Sequence, residues 1–195
     1  MKFRNWFSIT EAFEPNAALL VIDMQNDFID SKFAAPDAKS LLPKVNSLIT
    51  KARSQGIPVI FTAHVYKADS PDTLARPPEK RYCIINTFGA DFHSDLDRKD
   101  SPVFNKDTFS GFGGKNRDNE KESLANHLHK HGIKRVIIVG LTLDYCVAAT
   151  AQEAKRNGFE AAVVMDATKG MYDYHTHDQT VTSLKSAGIK MLPTL

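Results

Sequence analysis

The chain has 195 residues, 42% of them apolar and 25% charged, with a net charge of +2. That is enough apolar material for a real core in one domain spanning residues 1–195, and it gives no electrostatic case for nucleic acid. The longest apolar stretches have the length of strands, which excludes a membrane partner held by a spanning helix.

Residues 1–15 read as an N-terminal arm, and Met1–Phe7 carries no apolar signal core. With two cysteines, Cys83 and Cys146, and no disulfide framework, the expectation is a reduced, cytoplasmic thiol protein. Ala17–Ile22 is a continuous apolar run and predicts a central buried strand that ends at Asp23. Leu41, Leu42, Val45, Leu48, Ile49 and Ala52 recur at helical spacing, with Gly56 as the stop. Pro58–Ala63 predicts a second strand ending at His64. Residues 66–100, with Pro71, Pro77 and Pro78 among many charges, predict a long excursion that serves as a lid or an interface. Val103–Lys106 predicts a short strand, and Glu120–Lys130 a helix ended by Gly132. Arg135–Val139 is β-branched and strand-like, and the alanine-rich Ala148–Lys155 is helical up to Asn157-Gly158. Ala161–Met165 predicts a strand ending at Asp166; a helix around Val181–Ala187 and a strand at Ile189–Leu192 follow. Strands alternating with helices define the α/β class: a single-domain, doubly wound parallel sheet with helices on both faces. No Gly-x-Gly-x-x-Gly follows a strand, which counts against a dinucleotide site.

Asp23, Lys106 and Cys146 each fall at the C-terminal end of a predicted strand, or just beyond it. Such ends converge on one crevice in a doubly wound sheet. The three make a working set: a lysine that stabilises a thiolate, an aspartate that takes the thiol proton and later returns it, and a sulfur nucleophile. Placement at the start of a helix predicts a thiol that ionises readily. Each residue also has a bland reading, Cys146 as a small buried hydrophobe, Asp23 as a turn cap and Lys106 as a surface cation; the coincidence of the three favours catalysis.

At these residues the chain resembles the isochorismatase-like cysteine hydrolases, a family that includes nicotinamidases. The resemblance rests on Asp23-Met24-Gln25-Asn26-Asp27-Phe28, Phe88–His93, Phe104-Asn105-Lys106 with Phe109–Phe112, and Gly140–Val147. It implies hydrolysis of a small-molecule amide C–N bond by a triad of Asp23, Lys106 and Cys146 through a thioester. It further implies a cis peptide between Leu141 and Thr142, an oxyanion hole formed by the backbone N–H groups of Thr142 and Cys146, and a homo-oligomer. Phe28, His64 and Tyr145 are candidate substrate-binding residues, although core packing suits Phe28 equally and a structural role suits His64.

The resemblance departs in one half of the site. Nicotinamidases hold a divalent metal, and the aligned ligand positions here are His64, Tyr66 and Tyr82. One imidazole and two phenols are a poor donor set for zinc, iron or manganese, so no metal and no cofactor is expected. The family's ring-stacking tryptophan aligns with Glu79, while Trp6, the only tryptophan, lies in the arm. Retention of Cys146 argues against isochorismate as substrate. A carbamoyl or ureido amidohydrolase and a binding protein without turnover are the alternatives.

Overall fold

The computed structural model describes residues 9–171 and 174–193. Trp6 lies outside them. The strands are β1 (Ala17–Ile22), β2 (Val59–His64), β3 (Val103–Lys106), β4 (Lys115–Asn116), β5 (Asn119–Ser123), β6 (Arg135–Leu141), β7 (Glu160–Lys169) and β8 (Lys190–Leu192). The helices are α1 (Ile9–Ala12), α2 (Asn26–Ile29), α3 (Leu41–Ser54), α4 (Pro71–Leu74), α5 (Leu124–Lys130), α6 (Ala148–Arg156) and α7 (Tyr174–Ser186). One sheet takes all the strands in the order β5-β4-β3-β2-β1-β6-β7-β8. From β3 to β8 the pairing is parallel; β4 and β5 add antiparallel at one edge.

The continuous apolar reading of β1 follows from two buried faces. Leu19 and Val21 enter one core with Val45, Leu48 and Ile49 of α3. Leu20 and Ile22, one residue out of phase, enter the other with Leu124 and Leu128 of α5 and Ala148, Ala151 and Ala154 of α6. Period-2 alternation on a strand and period-3.6 recurrence on a helix therefore meet on both sides of the sheet. The chain runs from β1 outward to β3 and returns to place β6 on the other side of β1, so the strand order reverses between β1 and β6. A crevice opens outside the carboxyl ends of the strands at such a reversal.

Two expectations are corrected and two are extended. Residues 119–123 form β5 and not the first turn of a helix. Asn119-Glu120-Lys121-Glu122-Ser123 suits a charged edge strand, and the turn into it is set by Asn116, whose side chain accepts from Asp118 N at 3.0 Å. The helix begins only at Leu124, capped by Ser123. β7 does not end at Asp166 but runs to Lys169, with a register shift between its pairings to Ile138 and Gly140. The helix after β6 is preceded by a π-helical turn, Leu143–Val147. The arm is more than a cover: Ala12 and Phe13 are buried in the core, and buried Arg135 donates to the carbonyls of Glu11 and Ala12.

β6 and β1 approach each other closely at Gly140, whose φ is +106°. A Cβ there would overlap the carbonyl oxygen of Ile22. Gly140→Ala therefore combines a backbone clash with a left-handed φ that side chains avoid, and the expected loss is about 3 kcal/mol or more. Urea denaturation of parent and variant reads it; coincident midpoints would refute the clash.

Candidate active site

The site starts where β1 stops. Asp23 turns into the left-handed region at φ +48°, a conformation that aspartate tolerates better than most side chains. Its amide donates to Thr62 O at 3.2 Å and its Oδ1 accepts from Thr62 Oγ1 at 2.6 Å, so the neighbouring β2 orients the carboxylate. The next polar residues point elsewhere. Gln25 donates to the carbonyls of His64 and Ala90 and accepts from His64 N. Asn26 donates to Phe88 O, and Asp27 accepts from Cys83 N at 2.6 Å. Gly89 is required beneath this loop, since a Cβ would overlap the Asp27 carboxylate.

Lys106 ends β3 and is 2% exposed. Its Nζ lies 2.7 Å from Asp23 Oδ2, 3.0 Å from Thr108 O, 3.1 Å from His64 Nδ1 and 3.4 Å from Cys146 Sγ. Four acceptors thus share three ammonium hydrogens, with sulfur the most distant. Burial opposes the charge on Lys106, but Asp23, with Cys146 behind it, outweighs burial and raises its pKa.

Cys146 is 6% exposed in the π-helical turn, after the cis peptide joining Leu141 and Thr142. Thr142 O accepts from the amides of Tyr145 and Val147, at 3.1 Å each. Thr150 Oγ1 donates to Cys146 O at 2.6 Å and accepts from Gly111 N at 2.9 Å, which fastens the turn to the glycine-rich segment after β3. Asp144 accepts from Met171 N and holds the segment after β7 against the same turn. The expectation of a readily ionised thiol is corrected: burial and then Asp23 push the Cys146 pKa up, and Lys106 pulls against them without prevailing. The direction of the shift favours the thiol over the thiolate at rest.

Beside Cys146 opens a slot of about 380 Å³, lined by Phe28, Lys32, Phe33, His64, Tyr82, Phe109, Leu141, Thr142, Tyr145 and Met171. Its lining is largely aromatic; the Phe109 and Tyr145 rings lie 5.1 Å apart at 38°. Two larger clefts, of about 490 and 510 Å³, are not lined by Cys146. The structure thus brings together the seven candidate catalytic, oxyanion-hole and substrate-binding residues: Asp23, Lys106 and Cys146 in one cluster, with Phe28, His64, Thr142 and Tyr145 around the slot. Thr62, Thr108 and Arg76 were not legible. Thr62 could have been found from the β1–β2 register, which pairs it with Ile22. Nothing in the sequence points to Arg76, which sits on irregular chain after α4.

The donor chemistry suits the Lys106 ammonium better than a divalent metal. Asp23, His64 and Cys146 offer ligand atoms within 4.8 Å of one another, but the Lys106 ammonium already stands among them. An ammonium has no lone pair, so His64 Nδ1 accepts from it and the ring hydrogen sits on Nε2, which cannot then ligate. Tyr66 Oη accepts from Arg76 Nη2 at 3.1 Å, and the guanidinium lies over the Tyr66 ring at 4.4 Å and the Tyr82 ring at 5.2 Å. Burial, followed by Tyr66, pushes the Tyr82 pKa up, away from a metal-binding phenolate.

A doubly wound sheet with a buried cysteine, lysine and aspartate at its carboxyl edge is the arrangement of an α/β thiol hydrolase. Residues 17–194 match the isochorismatase domain, and the chain belongs to that family. It is 32% identical over 177 residues to the nicotinamidase/pyrazinamidase of Mycobacterium tuberculosis, covering 86% of this chain and 92% of that one. Among solved structures, the zinc-bound pyrazinamidase of Pyrococcus horikoshii superposes with a TM-score of 0.77 at 32% identity, over 92% of this chain and 99% of the other. The N-carbamoylsarcosine amidase of Thermoplasma acidophilum gives 0.76 at 26% identity, over 91% and 96%.

His64 supplies a pH test. Burial first, and then Lys106, lower its pKa from 6.5 to about 4; Asp23 opposes the shift and Arg76 adds to it. The unfolded chain therefore binds a proton between pH 6.5 and 4 that the folded chain does not, so stability falls as pH drops through that window. The expected loss between pH 7.5 and pH 5 is about 2 kcal/mol from this residue. Urea denaturation at both pH values should show that loss in the parent and a smaller one in His64→Gln; equal losses would exclude His64 as the source.

Proposed function

We propose that the chain is an amidohydrolase that cleaves a C–N bond of a small, flat amide through Asp23, Lys106 and Cys146 and a thioester on Cys146. Nicotinamide is the leading substrate. The observation that carries this reading is the Lys106 ammonium, held between the Asp23 carboxylate at 2.7 Å and the Cys146 sulfur at 3.4 Å beside an aromatic slot.

The chemistry follows from the placement. The Cys146 thiol gives its proton to Asp23 as Sγ bonds to the amide carbon. Lys106 stabilises the charge arriving on sulfur, and a sulfur that becomes a thiolate competes better for the shared ammonium hydrogens. The carbonyl oxygen takes the negative charge of the tetrahedral intermediate, and the backbone N–H groups of Thr142 and Cys146 receive it. Collapse breaks the C–N bond, with the proton on Asp23 passing to the departing amine. Water, deprotonated by Asp23, then attacks the thioester; the acid leaves and the proton returns to sulfur. No step passes through a metal. The slot, lined by Phe28, Tyr82 and Tyr145, suits a planar ring, and no described helix is long and apolar enough to cross a membrane.

The structural likeness to an N-carbamoylsarcosine amidase supports a second reading, hydrolysis of a carbamoyl or ureido group by the same triad. Two free thiols favour a reducing compartment such as the cytoplasm. Exposed Ile85 and Phe88 on the 66–100 excursion favour contact with a second copy of the chain over a lid.

Ammonia release from nicotinamide and a panel of small amides, in the presence of chelator, tests the reading. Cys146→Ala, Asp23→Asn and Lys106→Ala should each lower turnover about a thousandfold or more, because the three act as a unit. Circular dichroism controls for folding, since removing one partner of a buried ion pair costs roughly 3–5 kcal/mol. Substantial turnover by folded Cys146→Ala would end the covalent mechanism. Silence on nicotinamide with ammonia from carbamoyl compounds would favour the second reading.

A further inference from the structure

Three histidines alternate along α5 and its end, at positions 127, 129 and 131, and the fold separates them. Residues four apart on a helix share a face; residues two apart do not. His129 accordingly stacks on Phe159 at 4.7 Å between centroids, while the His127 and His131 rings meet each other at 4.4 Å. That pair lines a cleft of about 510 Å³ beside Pro58 and Pro102, where β2 and β3 begin. This is the edge of the sheet opposite the triad.

In both rings one nitrogen is already committed. His131 Nδ1 lies 2.8 Å from His127 O, and a carbonyl only accepts, so Nδ1 carries the hydrogen. His127 Nδ1 lies 3.2 Å from Glu122 Oε2, which also accepts from Asn116 Nδ2 at 2.6 Å. A carboxylate beside Nδ1 favours the hydrogen there too. Both Nε2 atoms are thereby left with lone pairs. Nδ1 is the fully buried nitrogen of His127, so its half-buried ring meets the cleft on the Nε2 side; His131 is exposed. Burial, the largest influence, lowers the His127 pKa against the pull of Glu122 and keeps that lone pair free at neutral pH. Phe104 packs edge-on against the same ring at 5.3 Å and restricts its rotation. Imidazoles whose Nδ1–H groups face a carboxylate and a carbonyl have the outer shell of metal-ligating histidines. With a metal–nitrogen bond of about 2.1 Å, an ion lies roughly 3.2 Å from each ring centre, enough to span the pair. The cations of the cleft are engaged elsewhere, Arg53 with Asp97 at 2.9 Å and Lys99 with the same carboxylate at 3.9 Å.

We propose that His127 and His131 form a two-histidine site for a divalent transition cation of the zinc or nickel type, bound through both Nε2 atoms with water completing its coordination. Neutral imidazole suits such ions, whereas magnesium and calcium take oxygen ligands. The site is structural: it touches no reacting atom, and through Glu122 of β5 it ties the edge hairpin to α5. It does not depend on the amidase reading.

Calorimetric titration of the untagged full chain with Ni²⁺ tests it. The parent should bind one equivalent saturably, and Mg²⁺ should give no binding. Glu122→Gln should weaken Ni²⁺ binding about tenfold, and His127→Gln and His131→Gln should each weaken it more. His129→Gln and Cys146→Ala should bind as the parent does; the second separates this site from the Asp23, His64 and Cys146 cluster. At an ion concentration about 100 times Kd the parent's Tm should rise by roughly 5 °C or more, and His131→Gln should lose that rise. Absence of saturable binding overturns the inference. So does undiminished binding by folded His131→Gln, an equal loss in His129→Gln, or loss of binding in Cys146→Ala. His131 is exposed, so its variant decides even if His127→Gln does not fold.

Discussion

The site is built around one buried ammonium. Lys106 brings a positive charge into the protein interior, and nothing in the apolar core repays the lost hydration. Asp23 is what makes that charge tenable, at 2.7 Å and itself fully buried. Much local structure serves this pair. The turn of Asp23 at φ +48° lets a strand that is otherwise apolar end on a carboxylate, and Thr62 fixes its second oxygen. The carbonyl of Thr108, after β3, takes part of the ammonium's hydrogen bonding. Cys146 therefore sits against a cation that is in place before any chemistry starts.

The same economy explains the polar residues after β1. Gln25, Asn26 and Asp27 read in sequence as one motif, yet none touches Cys146 in the hydrogen-bond network. They fasten the long 66–100 excursion instead, through the carbonyls of Ala90 and Phe88 and the amide of Cys83. The excursion in turn brings Tyr66, Arg76 and Tyr82 around His64. A motif beside the proposed catalytic carboxylate can thus be structural in most of its positions and still shape the pocket.

That division also marks what the sequence could reveal. The central strands and α3 were legible because burial on two faces leaves an apolar run and burial on one face leaves a helical period. Asp23, Lys106 and Cys146 were legible because strand ends of a parallel sheet share an edge. The β4–β5 hairpin was hidden by residues with helix propensity, Glu120, Lys121 and Glu122, which pairing at the sheet edge overrode. The elevated thiol pKa was hidden as well. A helix start suggests an ionised cysteine, but burial and the nearby carboxylate depend on packing that sequence spacing does not encode. Arg76 was the least accessible, since an irregular segment places it through contacts with two tyrosines distant from one another in sequence.

The raised thiol pKa fits a nucleophile better than it first suggests. A thiolate formed by losing a proton to solvent would leave the buried cluster with a net negative charge, which burial penalises. Transfer of that proton to Asp23 is different. Before transfer the cluster holds carboxylate, ammonium and thiol; afterwards it holds carboxylic acid, ammonium and thiolate. Its net charge is zero in both states, so the desolvation that pushes the thiol up opposes ionisation to solvent far more than internal transfer. Lys106 touches both partners, at 2.7 and 3.4 Å, and can shift its hydrogen bonds toward sulfur as the charge moves. In the proposed reaction, burial thus disfavours loss of the sulfur's proton to solvent, and activation runs through Asp23, the group that later supplies a proton to the departing amine.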